Sequence, residues 1–311
     1  MKDMPAVAYH TPVLADQVVE LFRDATRVLD GTLGGGGHSE LLLQAGKTVV
    51  GVDRDPDAIA AARARLESFE RTGRFRTVLA NYSEFGGEAS GAGLFDAILL
   101  DLGISSHQID ATERGFSFRE GAPLDMRMGA GTQTGGANAA DLLNSADEAE
   151  LTRIFKEFGD EPRAGRLARV VTKRRANAPF VRSDDLVGAI REALGSRSGP
   201  AEFARLFQAV RIAVNDELDG LGRALPALRD RLSPTGILAV ITYHSGEDRL
   251  VKHMFRNWSA ECVCPPKQPR CTCRGHALGE TLTRRAVVPT DAEVAANPRC
   301  RSAKLRAWRT D

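Results

Sequence analysis

The segment Asp30-Gly31-Thr32-Leu33-Gly34-Gly35-Gly36-Gly37-His38-Ser39 carries five glycines within seven residues. Such a run lets backbone pass close to a ligand, because no Cβ intervenes and positive φ costs little. The short apolar run Arg27-Val28-Leu29 precedes it, and Ser39-Glu40-Leu41-Leu42-Leu43-Gln44 follows as the first turns of a helix. Strand, glycine turn and helix start make the nucleotide-site geometry of an open α/β sheet, and the N–H groups of a helix start suit a carboxylate or phosphate. About 20 residues on, Asp53 ends a second apolar run, where a carboxylate can accept both hydroxyls of a ribose.

The glycines alone read equally well as a flexible turn; Asp53 shifts the balance toward a cofactor loop. The spacing is not G-x-G-x-x-G, since Ser39 stands where the last glycine would be, which speaks against a nicotinamide or flavin dinucleotide. An acid opening the loop, glycines, and an acid after the next strand resemble the nucleoside-binding arrangement of S-adenosylmethionine methyltransferases.

The elements that position these residues alternate. Thr11 and Pro12 open a first helix, with Thr11 as N-cap. Strands follow at Val28–Asp30, Thr48–Asp53, Arg74–Leu79 and Leu94–Asp101, with a helix over Ala58–Phe69. Tyr82 falls just past the third strand, where such a sheet presents residues to a ligand. From Leu102 to Gly135 no period survives, although Arg114–Arg119 and Leu124–Met128 are too specific in composition for a linker. Residues 139–195 are helical, with Ser145 as an N-cap and Glu148 three residues on. A helical stretch over Phe203–Leu232, a fifth strand at Gly236–Tyr243, a helix at Glu247–Trp258 and strands at Leu282–Val288 and Ser302–Arg309 complete the chain. The expectation is a Rossmann-like α/β sheet domain formed by residues 1–108 and 206–311, with 109–205 as an inserted, mainly helical domain.

The 311 residues suffice for one core plus an insertion. No run is long enough for a membrane span and the N-terminus has no apolar signal segment, so the expected location is the cytoplasm. Five cysteines fit no secreted disulfide framework. The net charge of +1 hides two acid-free basic blocks: six residues in Arg163–Arg175 and five in Arg299–Arg309. Such blocks suit a polyanion, and Arg163, Arg166, Arg169 and Lys173 share one helical side.

Taken together, His10–Leu14, Asp30–Ser39, Asp53–Pro56, Asp101–Ser106, Arg114–Met128, Phe207–Leu218, His244–Lys252 and Asn297–Arg306 make the chain similar to the MraW (RsmH) family nearly end to end. The departures are His107 for proline, Asp160 for glutamate and Gly246 for leucine. The resemblance implies an S-adenosylmethionine-dependent methyltransferase acting on the N4 amine of a cytidine in 16S ribosomal RNA, within the small subunit, as monomer or homodimer. It implies cofactor contacts at Gly36, Gly37, His38, Asp53, Tyr82, Asp101 and Gln108. For His38 taken alone a helix cap is the plainer reading; for Tyr82 taken alone a core ring at a strand end reads equally well.

A cytosine amine is a weak nucleophile, because its lone pair is delocalised into the ring. Catalysis therefore needs acceptors that hold its N–H groups, align the lone pair and take a proton late. Asp101, ending the fourth strand, and His244, following the fifth, are the candidate catalytic pair. Ser245 with Asp248 could instead simply cap the next helix. Phe116 and Phe118 could stack on a base or be buried. Cys262-x-Cys264 and Cys271-x-Cys273 bracket a Pro-rich turn; their spacing is not the C-x₂-C of zinc knuckles. Metal binding and free thiols both stand on the sequence, and no metal ligand is assigned. A non-catalytic RNA-binding factor and a small-molecule methyltransferase are the rival readings; the basic blocks weigh against the second.

Overall fold

The computed structural model describes residues 12–85, 93–104, 111–129, 136–265, 268 and 270–311. The chain divides into two compact units, one of residues up to Gly103 with Leu218–Asp311, the other Ile104–Glu217.

The first unit is built on a seven-stranded sheet in the order β3-β2-β1-β4-β5-β7-β6. Its strands are β1 (Arg27–Asp30), β2 (Thr48–Asp53), β3 (Phe75–Leu79), β4 (Phe95–Asp101), β5 (Leu232–Thr242), β6 (Gly279–Thr281) and β7 (Lys304–Thr310). β3, β2, β1, β4 and β5 are parallel, and β7 runs antiparallel to both β5 and β6. The strand order reverses between β1 and β4, the place where an open α/β sheet leaves a crevice at its strand C-termini. This is the expected Rossmann-like α/β class.

Side chains alternate across the sheet with period two. Val28, Ala97, Leu99, Ala239 and Ile241 face one core, with Leu42 and Leu43 of α2 (Gly37–Gln44) and Ala62 of α3 (Pro56–Arg65). Leu29, Ile98, Leu100, Leu238 and Val240 face the other, with Leu221, Leu225 and Leu228 of the helix Glu217–Arg229 and Val251, Phe255 and Trp258 of the helix Ser245–Trp258. Burial on both faces explains the near-continuous apolar run of β4.

Several boundaries differ from expectation for local reasons. The first helix, α1, is Ala15–Leu21; it begins after Leu14, whose φ of 54° is left-handed. Thr11, the expected cap, lies outside the described residues. Leu14 is fully buried, and its N–H donates to Glu293 Oε1 at 3.1 Å. Glu293 belongs to a short helix, Asp291–Ala296, that hydrophobic periodicity missed although Thr290 and Glu293 form its capping box. The expected Ala58–Phe69 helix is two pieces, α3 and α4 (Glu67–Arg71), with Leu66 between them. Leu282–Val288 is not a strand: only a bridge from Val287 to Leu305 forms there, and β6 sits earlier.

The second unit holds α6 (Ala139–Ser145), α7 (Glu148–Glu157), α8 (Ala164–Arg175), α9 (Ser183–Leu194) and α10 (Pro200–Asn215), α5 being the short Tyr82–Phe85 of the sheet unit. The expected border at 205/206 falls inside α10, whose Phe203, Leu206, Phe207, Ala209 and Val210 all pack in this unit's core. The chain leaves the unit after α10 ends at Asp216, which is left-handed at φ 52°. Ser145 caps nothing: it is the last residue of α6, and Asp147 caps α7 by accepting the Glu150 N–H at 2.8 Å.

The aperiodic Arg114–Met128 stretch is ordered by polar contacts. Asn215 Nδ2 donates to Met126 O at 2.7 Å and its Oδ1 accepts the Met128 N–H at 2.8 Å, both buried. Arg114 donates to Met128 O at 2.8 Å, and Arg127 pairs with Asp125 at 2.6 Å. Gly115 has φ +71°, and a Cβ there would lie 2.4 Å from Pro123 O, so only glycine fits. Phe118 sits edge-on to Phe203 and Phe207 at 5.9 and 6.0 Å, and Phe116 packs on the helical core.

Candidate active site

The glycine loop is laced to the strands on either side of β1. Gly31 N–H donates to Leu99 O of β4, and Leu33 N–H to Val52 O of β2, both at 2.9 Å. A Cβ on Gly31 would meet Leu100 Cδ2 at 2.6 Å, so any larger residue would have to displace the buried Leu100 side chain. At its base Asp30, 1% exposed, accepts Ser39 Oγ–H at 2.7 Å and Thr32 N–H at 3.3 Å. Burial raises the Asp30 pKa, and neighbouring His38 and the Ser39 hydroxyl oppose that rise. Asp30 is thus the fastener of the loop.

Helix α2 begins at Gly37 with left-handed Gly36 (φ 79°) as its N-cap, a residue with no side chain of its own to cap it. Its first amides can therefore meet a carboxylate. His38 is not a cap: it lies inside the first turn, and its Nε2–H donates to Val13 O at 2.9 Å. Its Nδ1 stands 3.6 Å from Asp101 Oδ2, beyond hydrogen-bond distance.

Asp53 ends β2 with its carboxylate fixed from both sides. Oδ2 accepts the Gly34 N–H at 2.8 Å and Oδ1 the Asp55 N–H at 2.9 Å. Burial pushes its pKa up to about 6, against the pull of these two amides. Each oxygen has a second lone pair, so the pair can still accept two hydroxyls. Tyr82, opening α5, is half-buried; it packs against the core that contains Leu29 and Leu100, and its Cβ borders Gly31.

Asp101 ends β4, one strand from β1. Its N–H donates to Thr32 Oγ1 at 2.6 Å, and its Oδ1 accepts the Tyr243 hydroxyl at 2.9 Å. Burial first, and the Asp101 charge second, raise the Tyr243 pKa, so this hydroxyl stays protonated and donates. Sequence reasoning passed over Tyr243 and Thr32. The signal was position: Tyr243 directly follows β5, whose last turns pair with β4 at Asp101↔Ile241.

His244 is the N-cap of the helix Ser245–Trp258, here α12, with Glu217–Arg229 as α11. Its Nδ1 accepts the Glu247 N–H at 3.4 Å, and Glu247 Oε2 returns to the Tyr243 and His244 N–H groups at 2.9 and 3.3 Å. The expected Ser245–Asp248 cap is therefore shifted one residue back. Asp248 serves β7 instead, bound to Arg306 at 2.6 Å and Lys304 at 3.4 Å. An accepting Nδ1 leaves the neutral ring's proton on Nε2. That atom is 3.2 Å from Glu247 Oε1 but lacks hydrogen-bond alignment with any described group.

The sheet edge thus gathers Gly36, Gly37, His38, Asp53, Tyr82 and Asp101 on the ends of β1, β2, β3 and β4, and His244 at the end of β5. Gln108 lies outside the described residues. The arrangement offers an uncapped helix start, a carboxylate suited to a vicinal diol, and a carboxylate held by a protonated phenol.

In the second unit, Arg166, Arg169 and Lys173 of α8 are exposed, while Leu167, Ala168 and Val171 are buried beneath them. The block is acid-free in sequence but not in space: Glu148 lies 3.6 Å from Arg169 and Glu192 3.6 Å from Arg174. Arg163 and Arg175 donate to backbone carbonyls of Leu194 and Leu143 at 3.0 Å each. In the C-terminal block Lys304 and Arg306 are bound to Asp248 of the helix Ser245–Trp258, and Arg309 pairs with Glu280 of β6, so three of its five cations tie β7 to its neighbours. No helix among the described residues is long and apolar enough to cross a membrane.

The MraW methylase family matches residues 7–310. The "Ribosomal RNA small subunit methyltransferase H" of Gemmatimonas aurantiaca is 59% identical over 305 residues, covering 97% of this chain and 95% of its own. The protein of the same name from Geobacter sulfurreducens is 47% identical over 310 residues, covering 96% and 97%. An rRNA methylase structure from Streptococcus thermophilus covers 95% of this chain at 11% identity, with a TM-score of 0.42, a likeness too slight to build on. With a match running almost from end to end, this chain belongs to the MraW methylase family.

Proposed function

We propose that the protein transfers a methyl group from S-adenosylmethionine to the exocyclic N4 amine of a cytidine in 16S ribosomal RNA, acting in the cytoplasm on RNA held in the small subunit. The observation that carries the reading is the Asp101 carboxylate, oriented by Tyr243 beside the glycine loop, in a chain of this family. The names of the relatives support the substrate class.

The residues suit the cofactor. Asp53 would accept its ribose hydroxyls, and the uncapped start of α2 at Gly36 and Gly37 would face its carboxylate. Tyr82 would lie against the adenine, and His38 would brace the loop through its bond to Val13. When bound, S-adenosylmethionine supplies an electrophilic methyl on a sulfonium centre.

Asp101 would accept an N–H of the target amine, turning the nitrogen lone pair toward that methyl. As the nitrogen gains positive charge, the negative carboxylate would stabilise it most in the transition state. The Tyr243 hydroxyl keeps one oxygen of Asp101 engaged and so sets the direction in which the carboxylate meets the amine. His244, with its Nε2 proton, would order the base or pass a proton on after transfer. The helical unit, with its exposed Arg166, Arg169 and Lys173, would bind RNA phosphates.

The test is to incubate the protein with labelled S-adenosylmethionine and small ribosomal subunits from a strain lacking it, then map the label. Label on the N4 atom of one cytidine is expected. Cofactor binding without label in RNA would favour a non-catalytic RNA-binding factor.

A further inference from the structure

Between Trp258, the end of α12, and Gly279, the start of β6, runs a loop without helix or strand among its described residues. None of those described residues is buried: Val263 is 37% exposed, and Leu278, at the very end of the loop, packs only partly against the sheet unit's core. A segment of this length with no core of its own needs a cross-link to hold one shape.

The four loop cysteines converge. Sγ atoms of Cys262, Cys264, Cys271 and Cys273 all lie within 4.8 Å of one another. Cys262–Cys271, Cys264–Cys271 and Cys262–Cys273 are each separated by 3.8 Å, and Cys271–Cys273 by 3.4 Å. Disulfides would need sulfurs at about 2.05 Å. Four sulfurs placed tetrahedrally at about 2.3 Å from a zinc ion stand about 3.8 Å apart along each edge.

The backbone repeats this symmetry. The middle residue of each C-x-C turn donates its amide to a sulfur of the other turn: Val263 N–H to Cys273 Sγ at 3.3 Å, and Thr272 N–H to Cys264 Sγ at 3.4 Å. Amides aimed at sulfur favour the thiolate, the form that binds metal. Arg274 anchors the frame by donating to Ala260 O at 2.9 Å, His276 O at 2.7 Å and Asn257 O.

From this convergence of four sulfurs in an otherwise coreless loop, we propose that Cys262, Cys264, Cys271 and Cys273 bind one zinc ion as a structural Cys₄ site. A tetrahedral S₄ set takes zinc or iron. With Cys262 and Cys271 exposed, a redox-active iron would face water and oxygen, whereas zinc has no redox chemistry. Each thiol loses its proton on binding, and all four ligand positions are filled by protein, so the ion cross-links and does not catalyse.

The full chain, purified under reducing conditions from zinc-supplemented medium, should contain one zinc per chain by elemental analysis. The Cys271→Ser/Cys273→Ser variant should lose that zinc and become cleavable by protease between Ser259 and Leu278. Stripping wild-type protein with a chelator and adding Co²⁺ should give the intense sulfur-to-cobalt charge-transfer and tetrahedral d–d bands of a thiolate site. That measurement stands even if the variant does not fold. Metal-free protein with four reactive thiols and no cobalt spectrum would overturn the proposal, as would disulfides or bound iron.

Discussion

The Tyr243 hydroxyl donates to Asp101 Oδ1 at 2.9 Å, so the residue after β5 sets the orientation of the carboxylate that ends β4. A hydrogen bond to a charged acceptor contributes about 1.5–3 kcal/mol. Expressed fully in the transition state, its loss would slow transfer about 10- to 100-fold. Tyr243→Phe should therefore lower the single-turnover rate at saturating cofactor and RNA, with the fold and melting temperature little changed. Asp101→Ala should abolish turnover. A Tyr243→Phe enzyme at full rate would make the phenol incidental.

Asp53 gives a pH test. Its folded pKa of about 6 lies above the ordinary carboxylate value, because burial disfavours the charge. Two ribose hydroxyls are best accepted by the ionised form, so cofactor affinity should strengthen as pH rises through about 6. Binding near that pH should release a proton, seen as a calorimetric enthalpy that varies with buffer ionisation. For the unliganded fold the sign is opposite: a raised carboxyl pKa contributes stability at low pH that is lost as pH rises through about 6. Asp53→Ala should bind weakly and lose the pH dependence while still folding. Unchanged affinity in the folded variant would remove Asp53 from the site.

What was legible in the sequence followed from backbone demands. The apolar run of β4 reads as a strand buried on both faces, the acid after β2 tips the glycine run from a plain turn toward a cofactor loop, and the sheet follows from them. What was not legible depended on partners distant in sequence. Asp101 lies 142 positions before the Tyr243 that orients it, and Leu14 lies 279 before the Glu293 that holds its amide. The same distance misled the charge reading: Arg169 meets Glu148 and Arg306 meets Asp248 only once folded. The shift of the cap from Ser245 to His244 has another cause. Histidine is an uncommon N-cap, so residue preference pointed to the serine beside it.

The basic stripe of α8 can be separated from its structural arginines. Arg163 and Arg175 bind carbonyls and should be left alone. Replacing Arg166, Arg169 and Lys173 with Gln should weaken RNA binding and flatten its salt dependence. Removing three phosphate-neutralising charges would reduce the slope of log K against log salt by roughly 2–3. Cofactor affinity should not move. An unaltered slope would make this a solvated face, with Glu148 accounting for Arg169.

His244 has two roles to disentangle. Its Nδ1 caps α12, so His244→Ala should cost about 1 kcal/mol of stability, the usual loss for a missing cap. Its Nε2, buried and 3.2 Å from Glu247 Oε1, has no aligned hydrogen-bond partner among the described residues, and any proton handling would fall to it. His244→Asn restores a cap acceptor but provides no imidazole. Handling a proton with a positioned side chain contributes on the order of 10²-fold. The expected pattern is that His244→Ala melts earlier and transfers methyl about 10²-fold more slowly, while His244→Asn regains the melting temperature but not the rate. Neither should alter cofactor affinity. If His244→Asn restores both stability and single-turnover rate, the ring only caps the helix, and Asp101 acts without a histidine partner.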